Sequence, residues 1–323
     1  MQKTIPPNDW PSQRRFFAHT AVLRRLFGGR VQKLTVDAGF SCPNRDGTLG
    51  TLGCSYCDND AFNPSYCRPE KPLHEQIVEG MAFHTRRYRR AESYLVYFQA
   101  YTNTHGPVTL LRQRFEEALR FPSVKGLVIG TRPDCLGDEV INLLHELSGK
   151  TWISVELGVE SLYDGSLALT GRGHDAASAR DAILRLAAAG LHTGIHLMLG
   201  LPGESREDML AEAGMISHLP VNSLKLHQLQ IVKGTRMENM YLANPEAFNL
   251  FSLDEYTDLV IAFLERLGPH ISVERLAAEA PPRFLAVNPF GLMRYDSILR
   301  HIEDRMEAMN TWQGRLFESQ NEL

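Results

Sequence analysis

The segment C-P-N-R-D-G-T-L-G-T-L-G-C-S-Y-C, residues 42–57, brings Cys42, Cys54 and Cys57 into one short loop. Its proline and its three glycines disfavour both a helix and a central strand. A loop of this composition can wrap around a compact object, and thiolates that do so hold zinc, a disulfide or an iron–sulfur cluster. The segment therefore predicts a site of one of these three kinds.

The number of cysteines in the loop separates these possibilities only in part. Structural zinc takes four protein ligands, whereas a cubane cluster held by three thiolates leaves one iron open to a small molecule. Cys67, His74 and His84 are within reach as a fourth zinc ligand, and Cys135 is distant in sequence. Zinc and an open cluster therefore both fit the spacing. A disulfide is disfavoured, because an odd total of five cysteines with three of them clustered is typical of a reducing compartment.

The composition is that of a folded globular protein. The chain has 323 residues, of which 43% are hydrophobic, and its formal net charge is −4. This charge gives no strong global field that would attract nucleic acid or an anionic membrane. No apolar run approaches the roughly 20 residues of a membrane span, and the first residues have no apolar signal core. We therefore expect a cytoplasmic protein without a membrane partner.

Strands and helices alternate along most of the chain. Six β-then-α units specify a parallel sheet with helices outside it, and six are too few for a closed eightfold barrel. A partial barrel and a doubly wound sheet both fit this count. We predict strands at 31–36, 93–100, 124–130, 151–157, 191–199 and 222–230, and helices at 73–90, 109–120, 137–148, 175–189, 205–218 and 253–267.

The predicted strands have two unlike faces. In the fourth strand Ile153, Val155 and Leu157 share one face, while Ser154 and Glu156 share the other. A parallel strand buried on both sides would be apolar on both faces. Polar, small or aromatic residues also occupy one face of the second and fifth strands. The pattern favours an α/β fold with a polar interior, a partial (β/α)6 TIM-like barrel with a short C-terminal extension.

We expect one compact unit, because no long linker or repeat interrupts the chain. An N-terminal extension is predicted at residues 1–30 and the core barrel at 31–240. A C-terminal helical extension that packs on the core is predicted at 241–323. Within it we expect a short strand at 271–273 and a terminal helix at about 297–309.

Four further motifs follow the cysteine loop. They are E-L-G-V-E-S-L-Y-D at 156–164, R-G-H at 172–174, H-L-M-L-G-L-P-G at 196–203 and L-K-L-H-Q-L-Q-I-V-K-G-T at 224–235. Together with the loop, and over roughly residues 31–270, these motifs resemble the radical S-adenosylmethionine (SAM) enzymes. The four segments resemble the radical SAM domain of the Elongator catalytic subunit, and the whole chain resembles the uncharacterised bacterial YhcC-like family. The eleven residues between the first two cysteines, in place of the usual C-x3-C-x2-C, match the YhcC-like branch.

The resemblance implies cofactors and a reaction. Cys42, Cys54 and Cys57 would each ligate one iron of a 4Fe-4S cluster, and the fourth iron would bind the amino nitrogen and carboxylate of SAM. Reductive cleavage would give methionine and a 5′-deoxyadenosyl radical, which abstracts hydrogen from a substrate that the sequence does not identify. The resemblance also implies an electron donor such as flavodoxin or ferredoxin. The Elongator likeness makes RNA a candidate substrate.

The resemblance further assigns three side chains to SAM. Tyr56 would pack on the adenine, although an aromatic residue in this loop can equally cover the cluster. Glu156 would accept hydrogen bonds from the ribose or the ammonium group of SAM. Arg172 would hold the SAM carboxylate through a bidentate contact. Because a buried acid needs a partner, a structural ion pair between Glu156 and Arg172 is the competing interpretation.

Other assignments rest on strand ends. Gln99, Thr102 and Asn103 lie where the family binds the SAM amino group, although the family's Gly-Gly-Glu is absent from this sequence. Gly200 and Pro202 would form the turn beside the adenine.

Three residues of the later strands, His196, Lys225 and His227, are candidates for substrate contacts or for ordinary core packing. The alternative function is a zinc-stabilised α/β RNA-binding module without SAM chemistry. In that case the basic run at 86–90 would contact RNA.

Overall fold

One sheet of seven parallel strands organises the fold in the computed structural model, which describes residues 10–59, 63–87 and 92–318. The strands pair in the order in which they follow one another along the chain, and the sheet curls into a half-barrel. The predicted partial TIM-like barrel is therefore confirmed. The strands are Val31–Val36 (β1), Ser93–Phe98 (β2), Val124–Thr131 (β3), Trp152–Glu160 (β4), His192–Leu199 (β5), Ser223–Gln228 (β6) and Ser272–Arg275 (β7).

The helices of the described residues surround this sheet, and the predicted helices and strands are confirmed to within three residues at their ends. The second helix ends at Arg87, and residues 88–90 of the predicted basic run lie outside the described residues. The helices are His19–Phe27 (α1), Leu73–Arg87 (α2), Val108–Leu119 (α3), Asp138–Ser148 (α4), Asp164–Leu169 (α5), Ala176–Ala188 (α6), Arg206–Ser217 (α7), Arg236–Ala243 (α8), Leu253–Arg266 (α9) and Tyr295–Ala308 (α10).

The two faces of the strands differ as the sequence predicts. Ile153, Val155 and Leu157 belong to the main hydrophobic core together with apolar side chains of the outer helices. Glu156 is buried on the opposite face, inside the half-barrel. The alternation of side chains along a strand thus places polar groups in the interior of the barrel and apolar groups in the layer between sheet and helices.

Strand β4 runs three residues beyond its predicted end because of an irregularity near its carboxyl end. The pairing register with β5 shifts between Gly158 and Glu160, and Glu160 adopts a left-handed φ of 68°. A bulge of this kind redirects the side chains that follow it. Gly158 and Glu160 consequently both face the interior of the barrel.

The segment that precedes α1 covers the outer edge of β7. The Phe17 carbonyl accepts a hydrogen bond of 2.7 Å from the Val273 amide, and Ala18 forms a parallel bridge with the same residue. His19 Nδ1 lies 2.8 Å from the Ser272 hydroxyl. Part of the N-terminal extension therefore packs at the open side of the half-barrel, between its first and last strands.

Candidate active site

A cavity of about 240 Å³ occupies the interior of the half-barrel. Its wall consists of inward-facing side chains of the strands and of the cysteine loop that follows β1. Cys42, Cys54 and Cys57 all line it. In parallel α/β folds the carboxyl ends of the strands carry the chemistry, and the loop lies at this end. The structure therefore brings the three predicted thiols to one space.

Backbone hydrogen bonds fold the cysteine loop tightly. The Cys42 carbonyl accepts bonds from the Arg45 and Asp46 amides, at 2.7 and 3.0 Å, and the Gly53 amide donates to the Asn44 carbonyl at 2.7 Å. Gly53 has a φ of 70°, and a β-carbon there would lie 2.9 Å from the Arg45 guanidinium. The loop thus needs glycine at this position for its conformation and for the close approach of arginine.

Asn44 connects the cysteine loop to the segment after α5. Its side-chain amide nitrogen donates to the Gly171 carbonyl at 3.0 Å and to the Arg172 carbonyl at 2.8 Å, and it lies 3.5 Å from Cys54 Sγ. The Arg132 guanidinium also donates to the Arg172 carbonyl, at 2.7 Å. The loop and residues 171–172 are therefore fixed relative to each other.

Charged groups act differently on the two neighbouring thiols. Burial raises the pKa of Cys54, but the Arg172 guanidinium and the Asn44 amide outweigh this effect, so the pKa lies below its ordinary value. Burial raises the pKa of Cys57, and a Cys54 thiolate raises it further, although Arg45 opposes both. A cationic setting of this kind favours the thiolate form that binds metal.

The donor set suits a cluster better than a single ion. Within the described ranges, no three His, Cys, Asp or Glu side chains lie close enough together to bind one metal ion. A structural zinc site needs four such ligands. Here three free thiols line one cavity beside arginine side chains. This arrangement instead fits a metal cluster that contains several metal atoms and whose ligands carry a net negative charge.

Comparison with known protein families also favours a cluster over a single metal ion. The profile of the Radical SAM superfamily matches residues 47–215, just over half of the chain, and that of the Radical SAM C-terminal domain matches residues 221–308. The chain belongs to the radical SAM superfamily. The matched ranges include Cys54 and Cys57, and Cys42 lies just before the first of them.

Individual proteins support the radical SAM assignment. Protein YhcC of Escherichia coli (strain K12) is 36% identical over 80% of this chain and 82% of its own length. A tRNA uridine(34) acetyltransferase of Dehalococcoides mccartyi (strain CBDB1) is 30% identical over 56% of this chain, but only 39% of that enzyme is covered. The fold matches archaeal Elp3 of Methanocaldococcus infernus with a TM-score of 0.66 at 18% identity, over 88% of this chain and 64% of the other. The predicted YhcC-like and Elongator-like resemblance is confirmed.

The radical SAM family fixes the reaction class. The protein is a radical SAM enzyme, and its cofactors are a 4Fe-4S cluster and SAM. The alternative of a zinc-stabilised RNA-binding module has no support from the family or from the arrangement of the thiols. None of the helices in the described part of the chain is long and apolar enough to cross a membrane.

Several residues predicted to contact SAM do line the radical SAM cavity. Tyr56 and Gln99 face it, and so does the buried Thr102. The Tyr56 hydroxyl is buried and has no hydrogen-bond partner among the described residues. This hydroxyl can therefore accept or donate a hydrogen bond to a ligand in the cavity.

Three other predicted residues lie outside the lining of this cavity. The Asn103 amide is buried and donates to the carbonyls of Phe98, Ala100 and Gly130, at 3.0–3.1 Å, so it fixes the turn after β2. Gly200 packs against the residues that precede α9, and Pro202 follows in the same turn. Asn103, Gly200 and Pro202 thus contribute to the site by shaping the backbone behind the cavity.

Arg172 lines the cavity, but much of its guanidinium is already engaged. Nη1 donates to Cys54 Sγ at 3.5 Å and Nη2 donates to the Gly158 carbonyl at 2.5 Å, while Glu160 lies 3.8 Å from Nη2. No described residue partners the buried Nε. Each terminal nitrogen carries a second N–H beyond the one used here, so the bidentate contact with the SAM carboxylate stays a prediction.

The predicted competing ion pair between Glu156 and Arg172 is wrong, because other cations surround Glu156. One of its oxygens lies 2.6 Å from Lys33 Nζ, and the other lies 2.5 Å from Lys225 Nζ and 3.0 Å from His196 Nε2. Burial raises the pKa of Glu156, but the two lysine cations hold it well below its ordinary value. Glu156 is thus an ionised group with its acceptor capacity largely used.

Glu156 belongs to a network that crosses the interior of the barrel. Lys33 Nζ also lies 2.6 Å from Glu274 Oε2, and Lys225 Nζ lies 3.3 Å from the other Glu274 oxygen and from the Tyr97 hydroxyl. The sequence analysis missed Lys33 and Glu274 as members of the site. A charged residue on the inward face of a short strand is the signal that could have identified both.

Proposed function

We propose that Cys42, Cys54 and Cys57 bind the 4Fe-4S cluster and that the cavity they line binds SAM. The observation that carries this proposal is that three free cysteines of one loop face one cavity beside the Arg172 guanidinium. When bound, the reduced cluster supplies an electron that cleaves SAM into methionine and a 5′-deoxyadenosyl radical. Cluster binding is thereby assigned to the three cysteines, and SAM binding to the cavity that they line.

The surrounding residues prepare the site for this chemistry. Arg172 places positive charge beside Cys54 and lowers the pKa of its thiol, whereas Arg45 only partly offsets the burial that raises the pKa of Cys57. Asn44 holds the loop against residues 171–172, so the thiols keep their relative positions.

We infer the remaining SAM contacts from side chains of the cavity that have unused hydrogen-bonding groups. The Tyr56 hydroxyl and Arg172 Nε are buried, belong to residues that line the cavity and have no partner within the part of the chain that the structure describes. Gln99 faces the same space. We assign these three side chains to SAM, whereas Glu156 holds the lysines of the interior in place.

We further propose that the substrate is an RNA. The support is the similarity to a tRNA uridine(34) acetyltransferase, and the chain spans only 39% of that enzyme. A flavodoxin or ferredoxin would supply the electron. The free state of all five cysteines suits the reducing cytoplasm, where we place the enzyme.

Anaerobic reconstitution tests the cluster assignment. We expect reduced wild-type protein to convert SAM into 5′-deoxyadenosine and methionine, and Cys54→Ala to lose both the bound iron and this turnover. Cys67→Ala is the matched control, since this buried thiol does not line the cavity. Turnover by Cys54→Ala at the wild-type rate, or equal losses in both variants, would contradict the proposal.

A further inference from the structure

A second and larger space borders the SAM cavity at the open side of the half-barrel. This groove has a volume of about 990 Å³ and runs between β1, β7, α1 and the segment that follows β7. Four residues, Gln228, Gln230, Arg275 and Ala278, line both the groove and the cavity. A ligand in the groove would therefore lie against the wall of the reaction space.

The charged side chains of the groove leave two cations unpaired. Lys33 and Glu274 are paired with each other, and Glu279 accepts a hydrogen bond of 3.0 Å from the Tyr295 amide. Arg275 and Arg294 are exposed, and neither side chain has an ion pair or hydrogen bond with any described residue. The groove thus presents two guanidinium groups that are free to bind an anion.

The wall shared by groove and cavity also contains unused polar atoms. Gln230 Oε1 and, on the cavity side, His227 Nε2 are buried and have no hydrogen-bond partner in residues 10–59, 63–87 and 92–318. By contrast, the Gln228 side-chain amide accepts a hydrogen bond of 2.7 Å from the Ala278 amide and donates one of 3.0 Å to the Ala278 carbonyl. Buried polar atoms without partners are rare in proteins, and here they lie on the same wall as Arg275.

Aromatic side chains complete the groove. Phe251, Phe290 and Tyr295 are half-buried against the main core, and their remaining exposed surface lines the groove together with the two arginines. Guanidinium groups bind phosphate oxygens through paired hydrogen bonds, and aromatic rings stack on unpaired bases. This combination favours a single nucleic-acid strand over an acidic peptide, which would use the arginines but not the rings.

We propose that this groove binds a single RNA strand, with Arg275 holding a phosphate at the wall shared with the SAM cavity. The inference rests on the proposed function, because the choice of RNA follows the similarity to a tRNA-modifying enzyme. The base next to that phosphate would then lie beside the reaction space. Arg294 would hold a second phosphate farther along the groove.

Fluorescence anisotropy with a short fluorescein-labelled oligouridylate tests the groove on the full reconstituted chain. We expect Arg275→Ala and Arg294→Ala each to weaken binding about 10-fold and to lower the slope of log affinity against log salt by roughly 1. Arg275→Lys should bind with intermediate affinity, because it keeps the charge and loses the planar fork.

The matched control is Arg206→Ala, which removes an equally exposed arginine outside both the groove and the cavity. Equal binding by Arg275→Ala and Arg206→Ala would overturn the inference, as would displacement of the RNA by polyglutamate as effective as that by unlabelled RNA. Thermal melting checks that each variant is folded. SAM cleavage by the wild type without RNA is measured separately, so failure of the cluster assignment is distinguishable from failure of the groove assignment.

Discussion

At the scale of single residues, Gly158 controls the position of Arg172. A β-carbon at residue 158 would lie 2.5 Å from Arg172 Nη2 and 2.8 Å from Glu160 Oε1. Both atoms end flexible side chains, so we expect Gly158→Ala to keep its fold while Arg172 loses the Gly158 carbonyl. Because a charge-assisted contact beside Cys54 is disturbed, SAM cleavage should fall about 10-fold or more, measured as 5′-deoxyadenosine formed.

The control for this change is Gly214→Ala on helix α7, where the added carbon has no described atom within 4 Å apart from its chain neighbours and the nearby backbone of its own helix. We expect this variant to cleave SAM normally and the melting temperatures of both variants to stay within about 4 °C of wild type. Unimpaired cleavage by Gly158→Ala would show that Arg172 needs no support from that carbonyl.

At the scale of elements, the cysteine loop depends on the segment after α5. Asn44→Ala removes two hydrogen bonds to the carbonyls of residues 171 and 172, together with the contact to Cys54. We expect a lower ratio of iron to protein after reconstitution and a loss of about 1–3 kcal/mol in the free energy of unfolding, because the Gly171 carbonyl loses its side-chain donor and the Arg172 carbonyl keeps only Arg132. Iron analysis and urea unfolding measure the two effects.

Asn142→Ala serves as the control for the loop, because Asn142 is exposed on helix α4, away from the cavity. It should bind iron as the wild type does. If Asn44→Ala also retained full iron occupancy, the loop would hold its shape through the backbone hydrogen bonds alone.

At the scale of the whole molecule, Lys33 connects the first, fourth and last strands. Its ammonium lies 2.6 Å from both Glu156 and Glu274, so Lys33→Met leaves buried carboxylates short of a partner. Removing one member of a buried ion pair costs about 3–5 kcal/mol, and we expect a loss of this order in urea unfolding. Adding Glu274→Gln to Lys33→Met should recover part of this loss in the free energy of unfolding, because it also removes one of the carboxylate charges that Lys33 balances.

Lys125→Met, at an exposed position of β3, removes the same charge and should change stability by less than about 0.5 kcal/mol. Strictly additive effects of Lys33→Met and Glu274→Gln would mean that the two residues do not act as a pair.

The sequence predicts those features that depend on local pattern. Alternation along β4 assigns Ile153 to the core and Glu156 to the interior, and the cysteine loop identifies the thiols. The partners of Glu156 escaped prediction, because Lys33 is 123 residues away from it along the chain. The contacts of Arg172 with Gly158 and Cys54 also escaped prediction, because they form only once the sheet has formed. Contacts between side chains of distant strands produce no periodic pattern in the sequence, so the sequence alone does not predict them.

The two attachments of the cysteine loop set an order of events during biosynthesis. The loop is held at one end by residues 171–172 through Asn44, and at the other by α8, whose Arg236 donates to the Gly53 carbonyl at 2.6 Å. A ribosome releases the N-terminal part of a chain first, so the thiols emerge well before either attachment exists. We therefore expect the loop to gain its full set of contacts only after translation has passed α8, and under the proposed cluster assignment iron and sulfide would be delivered after that point.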